Sequence, residues 1–211
     1  MKIIEPSWSF EEEINPQAIM EKIERAGRTC YKSEGRIGDG TAEKFIWGII
    51  KRGHESVLEH ASITVRIICD RGVSHELVRH RIASYSQEST RYCNYANGKF
   101  GGELTFIRPC FWDEGGVVYS EWAWIMRKIE DTYKWMLGMG SSPEQARSIL
   151  PNSLKTEIVM TANIREWRHF FKLRTAPAAH PQMREIACMM LEGFQEKLPV
   201  LFGDIGGKED A

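Results

Sequence analysis

The sequence predicts an α+β fold, with a central twisted, mostly antiparallel sheet flanked by helices. Two stretches, 61–69 and 154–164, alternate apolar and polar side chains with period two, as half-buried strands do. Several longer stretches repeat apolar residues every three or four positions, as amphipathic helices do. The helical stretches outnumber the strands, and the two kinds are mixed along the chain. At 211 residues a single domain over 1–211 is expected. There is no repeat, linker or low-complexity tract.

In chain order, Lys2 to Glu5 is a short edge strand. Asn15-Pro16 is an N-cap followed by Pro at the first helical position. The helix carries Ile19, Ile23 and Ala26 on one stripe and is expected to end at Gly27. Arg28 to Lys32 reads as a turn or loop. Gly35 to Gly40 is a Gly-rich surface loop that meets neither the dinucleotide nor the phosphate-loop pattern. Thr41 to Arg52 is a helix with Phe45, Ile46, Ile49 and Ile50 inward, and Gly53 to His60 is a polar junction. In the strand Ala61–Cys69, Ile63, Val65 and Ile67 alternate with Ser62, Thr64, Arg66 and Ile68. Ser74 is expected to cap a helix beginning near His75. Glu103 to Ile107 is a short strand, and Val117 to Leu137 a long amphipathic helix on Trp122, Ile125, Ile129, Tyr133 and Met136. Ser142-Pro143 opens a helix that stops before Pro151. In the strand Leu154–Ile164, Ile158, Met160 and Ala162 alternate with Glu157, Val159 and Thr161. Glu166 to Leu173 is a helix. Pro181 starts the last one, faced by Ile186, Met189, Met190, Phe194 and Leu198. The tail from about Gly203 is expected to fray.

Composition bounds the function. A hydrophobic content of 42% with seven Trp is ample for a packed core. The formal net charge of -1 excludes the global basic field of a general nucleic-acid binder, so an anion site has to be a local arginine cluster. Five cysteines are odd in number and lack a C-x-x-C pair, which fits a reducing cytoplasm better than a disulfide framework or a zinc site. The first residues hold no apolar run long enough for a signal peptide, and no stretch approaches a membrane span. A cytoplasmic protein without membrane or nucleic-acid partners is expected.

One segment stands apart. Arg79 to Tyr92 holds three arginines, a histidine, three serines, a threonine, two tyrosines, a glutamine and a glutamate in fourteen residues. Such a segment is a poor core element, because every buried polar group needs a partner. It lacks the Gly or Pro of an ordinary loop. Guanidiniums with hydroxyls between them suit a phosphate or another planar anion. The plain alternative is a solvated, charge-rich strand or helix end.

Other clusters are weaker. His75 and His80 resemble a zinc-protease helix, but a five-residue spacing turns the second imidazole by about 140° off the shared face, so no metal site is expected. Cys30 and Cys93 lie near arginines that could lower a thiol pKa, yet each reads more simply as a small buried hydrophobe. His54-Glu55-Ser56 with Glu59-His60 reads as a solvated junction, Arg147 as a cation at a helix end, and Asn163 as a cap. Singly, each plain reading wins; their joint order and spacing point elsewhere.

Arg79-His80-Arg81, seven further residues, Ser89, then Arg91-Tyr92 resembles the hallmark of the flavin-dependent thymidylate synthases. Arg28 to Tyr31, Gly53 to Ser56 with Glu59-His60, Ala146-Arg147 before Leu150-Pro151, Asn163-Ile164-Arg165 and Leu173-Arg174 follow in that family's order. The resemblance covers roughly residues 26 to 190. It implies methylation of deoxyuridylate (dUMP) at C5 to thymidylate (dTMP), with carbon from methylenetetrahydrofolate and hydride from NADPH by way of bound FAD. It also implies a homotetramer with shared active sites.

The same resemblance implies residue roles. Ser56, Arg79, His80, Arg81, Gln87, Asn163, Ile164, Arg165 and His169 are expected at FAD. Glu76, Arg79, Gln87, Glu88, Ser89, Thr90, Arg91, Arg147 and Arg174 are expected at the nucleotide. Arg174 is credited with favouring ionisation of the uracil N3, which is chemically sensible for a group that stays charged at all working pH values. Ser89 is better read as an orienting donor than as a nucleophile. His54 is a proton-handling or flavin-site candidate. This chain departs from the family in carrying Glu76 where Gln is frequent and His169 where Asn is frequent, and it looks longer between Arg174 and His180, so His180 and Gln182 receive no firm role. A competing expectation is a non-enzymatic nucleotide- or RNA-binding module gripping phosphates through the same cluster. A third keeps the fold and FAD but takes another nucleotide.

Overall fold

The computed structural model describes residues 1–98 and 101–206, which cluster into two compact units. The first unit comprises residues 1–8, 67–79 and 86–159; the second comprises 9–66, 80–85 and 160 onward. Helix and strand are mixed, as the α+β expectation requires. Strand β1 (Lys2–Ile4) pairs in parallel with β5 (Thr105–Ile107). Strands β2 (Ser7–Phe10), β3 (Ser62–Asp70), β6 (Lys155–Asn163) and β4 (Ala83–Gln87) form a four-stranded sheet in that order. Strands β3 and β6 run antiparallel: Ile164 N–H donates to Ala61 C=O at one end and Arg71 N–H to Leu154 C=O at the other. Their period-two patterns put Ile63, Val65, Ile67 and Ile158, Met160, Ala162 in the core.

The core of the first unit gathers Phe106, Leu104, Leu154 and Tyr95 under Met126 and Tyr133 of α4 (Val117–Gly138). In the second unit, α1 (Pro16–Thr29), α2 (Thr41–Lys51), α6 (Ile164–Arg174), α7 (Pro181–Lys197) and α8 (Pro199–Phe202) enclose an aromatic core. Trp167, Phe170 and Phe171, at i, i+3 and i+4 of α6, pack on one another; Trp167 and Phe171 meet Phe194, and Phe171 meets Phe202. Trp167 spends its indole N–H on Ile63 C=O at 3.1 Å, so the largest buried ring carries no orphan donor.

Several local expectations are corrected. Helix α1 runs through Gly27 to Thr29, taking in the start of the expected turn, because the ring of Phe45 fills the place a Cβ at 27 would need. Gly27 is there for close packing, not for a left-handed cap. Helix α3 (Arg71–Leu77) starts earlier than predicted: Asp70 caps it by accepting from Val73 N–H at 2.7 Å, and Ser74 instead donates to Arg71 C=O. Residues 55–60 of the polar junction wind into a six-residue 3-10 turn. Helix α5 (Pro143–Ala146) has the capping box Ser142/Gln145 and then tightens into a 3-10 turn over 147–149 before Pro151. At the expected frayed tail, Asp204 accepts from Arg168 and Ile205 is buried; residues 207–211 lie outside the described residues. Among the described residues no helix is long and apolar enough to cross a membrane.

Candidate functional site

In the second unit the site grows from α6. Asn163 ends β6 and caps the helix by accepting from Glu166 N–H at 2.9 Å. That sends the Glu166 side chain, only 8% exposed, back to His80, whose Nδ1 lies 3.0 Å from Oε1. At the other end of α6, Arg174 donates from Nε to His80 Nε2 at 3.1 Å. A guanidinium only donates, so His80 Nε2 has to be the accepting nitrogen and Nδ1 the protonated one. Glu166 and Arg174 thus fix one tautomer from both sides. The edge of Phe170 lies against the ring, and Tyr85 donates its hydroxyl to His80 C=O at 2.7 Å. Burial, with a smaller effect of the Glu166 charge, pushes the Tyr85 phenol up to about 12, so it stays a donor.

Burial holds the His80 pKa below its ordinary 6.5; the Glu166 hydrogen bond opposes this, and the Arg174 charge adds to the lowering. The sign follows from the geometry: a proton added at Nε2 would face the Arg174 N–H. As pH falls below 6.5 the unfolded chain binds this proton before the folded one does. The stability is therefore complete above about 6.5 and is lost through the window down to the folded value. Unfolding free energy should fall by up to about 1.4 kcal/mol per pH unit there. Urea titrations of the wild type and His80→Gln between pH 7 and 5 check this, since only the wild type should show the slope. Equal slopes would remove His80 as the cause.

Two clefts flank the 3-10 turn at residues 55–60. The first, about 470 Å³, is lined by Asn163, Arg165 and His169 with Glu55, Glu59 and the exposed Ile82. Arg165 pairs with Glu59 at 2.6 Å. The second, about 670 Å³, holds His54 and Ser56 beside arginines. The turn thereby separates two groups of residues expected together at FAD. Arg81 is exposed, whereas Ile164 is buried and offers a ligand only backbone. Both nitrogens of His80 are engaged within the unit, so that ring has no nitrogen left for a ligand.

In the first unit the segment 87–91 is a loop anchored from behind. The Gln87 amide donates to Ser74 Oγ at 2.9 Å and Thr156 Oγ1 at 3.1 Å, which uses both its hydrogens. Glu88 accepts from the Tyr95 hydroxyl and from Lys155 Nζ, each at 2.7 Å. These two expected ligand side chains therefore serve as anchors, leaving to a nucleotide the Gln87 carbonyl and the backbone. Outward lie Ser89, whose Oγ accepts from Arg91 N–H, and Arg91, which pairs with Glu144 at 2.9 Å. Arg147 reaches the loop from the turn after α5, donating to Thr90 Oγ1 at 3.4 Å. Two guanidiniums and a hydroxyl from sequence-distant elements meet here, a constellation suited to a phosphate. Arg79 is exposed at the end of this unit's 67–79 segment, and Glu76 is half-buried.

His80, Glu166 and His169 each place one ligand atom within 4.8 Å of the others. The Arg174 guanidinium on His80 Nε2 puts a fixed positive charge there, which opposes a cation. His75 lies on α3 and His80 after its end, so they share no helical face.

Sequence reasoning missed Glu166, Tyr85, Tyr95 and Lys155. The Asn163-x-x-Glu166 spacing did signal a capping box, but the glutamate turned to the histidine instead. Nothing local marks the others as anchors.

Residues 15–200 match the family model described as thymidylate synthase complementing protein. A flavin-dependent thymidylate synthase of Pyrococcus furiosus is 41% identical over 172 residues, 81% of this chain and 70% of the relative. One from Thermococcus kodakarensis is 42% identical over 75% of this chain and 64% of its own length. One from Corynebacterium aurimucosum is 37% identical over 86% and 78%. The crystal structure of a UMP/dUMP methylase, PolB from Streptomyces cacaoi bound with 5-Br dUMP, superposes with a TM-score of 0.79 at 22% identity over 96% of each chain, which shows a shared fold.

Proposed function

The chain belongs to the family of flavin-dependent thymidylate synthases, and on that premise we propose that it methylates deoxyuridylate at C5 to give thymidylate. The observation that carries the proposal is the family match over residues 15–200, which takes in the whole Arg79–Tyr92 segment and the relay from Glu166 to Arg174. The balanced reaction consumes deoxyuridylate, methylenetetrahydrofolate, NADPH and a proton, and yields thymidylate, tetrahydrofolate and NADP⁺. FAD, when bound, would supply the hydride-transfer chemistry that links NADPH to the one-carbon unit.

The residues present fit such a cofactor. Arg81 is exposed and Arg165 lies at the rim of a cleft, where guanidiniums suit a pyrophosphate, and Ile82, 68% exposed, offers an apolar surface to a flat ring. The Asn163 amide nitrogen and His169 are the further donors of that cleft, with Ser56 on the neighbouring one. For the nucleotide, Arg91 and Arg147 would hold the phosphate and Ser89 would orient the base. Arg174 would lie against the pyrimidine N3, where its charge stabilises the ionised ring and makes C5 more electron-rich. His80 would act one step back, fixing the plane of that guanidinium.

The finer reading is a cytoplasmic homotetramer with active sites shared among subunits. It is supported by the large apolar side chains that α4 leaves exposed, Trp124 at 51%, Trp135 at 64% and Val117 at 86%. Sedimentation of the purified protein tests the assembly.

The test of function is direct. The protein should carry flavin absorption, bleach with NADPH under anaerobic conditions, and convert deoxyuridylate to thymidylate when methylenetetrahydrofolate is added. A flavin-free protein, or one that methylates uridylate and not deoxyuridylate, would overturn the assignment.

A further inference from the structure

The second cleft of the second unit carries a charge pattern that the assigned roles do not use. Its lining includes Arg28, Arg36 and Arg52 and contains no Asp or Glu. Arg28 is already committed: it pairs with Glu24, which is 1% exposed, at 2.7 Å and lies 4.8 Å over the Phe45 ring. Arg36 and Arg52 are exposed and form no ion pair among the described residues. Arg52 folds back over Gly48 of α2, with a terminal nitrogen 3.3 Å from where a Cβ would stand, so a larger residue at 48 would displace it. The walls are apolar, from Phe45, Ile49 and Val57, and Tyr31 stands 78% exposed at the mouth.

A concave site of one sign with low-dielectric walls focuses its field on whatever enters. At about 670 Å³ the cleft is in the size range of small-molecule sites. Surface arginines are common, but in a chain of net charge -1 two guanidiniums without an ion pair lining one cleft favour anions. Tyr31 and His54 add flat faces for a ring, so the ligand joins an aromatic body to an anionic end.

We propose that this cleft binds the anionic end of an aromatic co-substrate through Arg36 and Arg52, with Tyr31 beside its ring. The inference rests on the methylation reading above, which brings two such molecules to the enzyme: a phosphorylated nicotinamide dinucleotide and a folate with a carboxylate tail. The shared chemistry is an oxyanion held by paired guanidiniums.

The test uses the flavin-loaded enzyme and the double variant Arg36→Ala/Arg52→Ala. Steady-state kinetics are run with NADPH against NADH, and with monoglutamyl against triglutamyl methylenetetrahydrofolate. Losing two charge-assisted contacts should raise one KM at least about ten-fold, with the effect in KM and not in kcat. A rise for NADPH that is absent for NADH assigns the cleft to the extra phosphate. A rise that grows with glutamate number assigns it to the folate carboxylates. Titration calorimetry of the same ligand should show the same loss, and Arg36→Lys/Arg52→Lys should recover part of it. Unchanged KM values for both co-substrates overturn the proposal, as does loss of flavin from the double variant. Failure of the methylation reading is separate, because the wild type would then form no thymidylate at all.

Discussion

Arg174→Ala is expected to lower thymidylate formation by about 10²–10³-fold in kcat while the protein keeps its flavin absorption. The size follows from removing one preorganised cation at a developing negative charge, about 2.7–4 kcal/mol of transition-state stabilisation. The flavin survives because the side chains proposed to hold it are others of the second unit, on β6, the first turns of α6 as far as His169, the segment 80–85 and the 3-10 turn at 55–60. Arg174→Lys should recover little, since the Nε–H that engages His80 Nε2 at 3.1 Å belongs to a planar fork that an ammonium cannot reproduce. The relay makes a companion expectation. Glu166→Gln keeps the volume but can offer an amide hydrogen to His80 Nδ1, which would protonate Nε2 and turn it against Arg174. That variant should lose activity and shift the acid limb of the pH–rate profile, whereas a merely structural glutamate would leave the profile where it was. Full kcat in Arg174→Ala would remove the role assigned to it.

The relay also shows how much was legible beforehand. The strands at 62–70 and 155–163 were readable because period two survives wherever one face is buried. The helix starts at Asn15-Pro16 and Ser142-Pro143 were readable because a cap and the donors it serves lie within three residues. What failed was long-range. Gly27 had a helix-stop signal that only the ring of Phe45, eighteen residues on, could override. Within the 79–92 segment, composition announced an anion site but could not tell anchors from ligands. Gln87 and Glu88 look as available as Ser89 and Arg91 until Ser74, Thr156, Tyr95 and Lys155 are seen to occupy them. His80 was expected at FAD and is 4% exposed, because Glu166, eighty-six residues away, supplies the partner that allows its burial. The convergence of Arg147 on Thr90 belongs to the same class: the residue types were right, and their meeting was invisible to local pattern.

The largest effect on stability is expected at Arg168, the one charged side chain of α6 that is 1% exposed. Its guanidinium bridges Asp204 at 2.6 and 2.7 Å and Glu55 at 3.3 Å, and donates to Leu201 C=O. It thereby ties α6 to the 3-10 turn and to the chain after α8. Both acids reach water, Glu55 at 22% and Asp204 at 47% exposure, so part of their Coulomb attraction is screened. Arg168→Ala should therefore fall at the lower end for a broken buried pair, about 3 kcal/mol, from the cavity and the lost hydrogen bonds together. For a chain of this length that is about 6–12 °C in Tm. Arg168→Met fills the space without burying a charge and should cost less than half as much. Asp204→Ala should cost more than Arg168→Met, because it leaves the guanidinium buried with the Leu201 carbonyl and, as its only remaining counter-charge, the longer contact to Glu55. Adding Asp204→Ala to Arg168→Met should then change little, since no buried charge remains to be abandoned. Urea midpoints at constant m-value measure all four. If Arg168→Met proves as damaging as Arg168→Ala, the hydrogen-bond geometry at Leu201 and Asp204, and not the desolvated charge, is what holds α6 to the end of the chain.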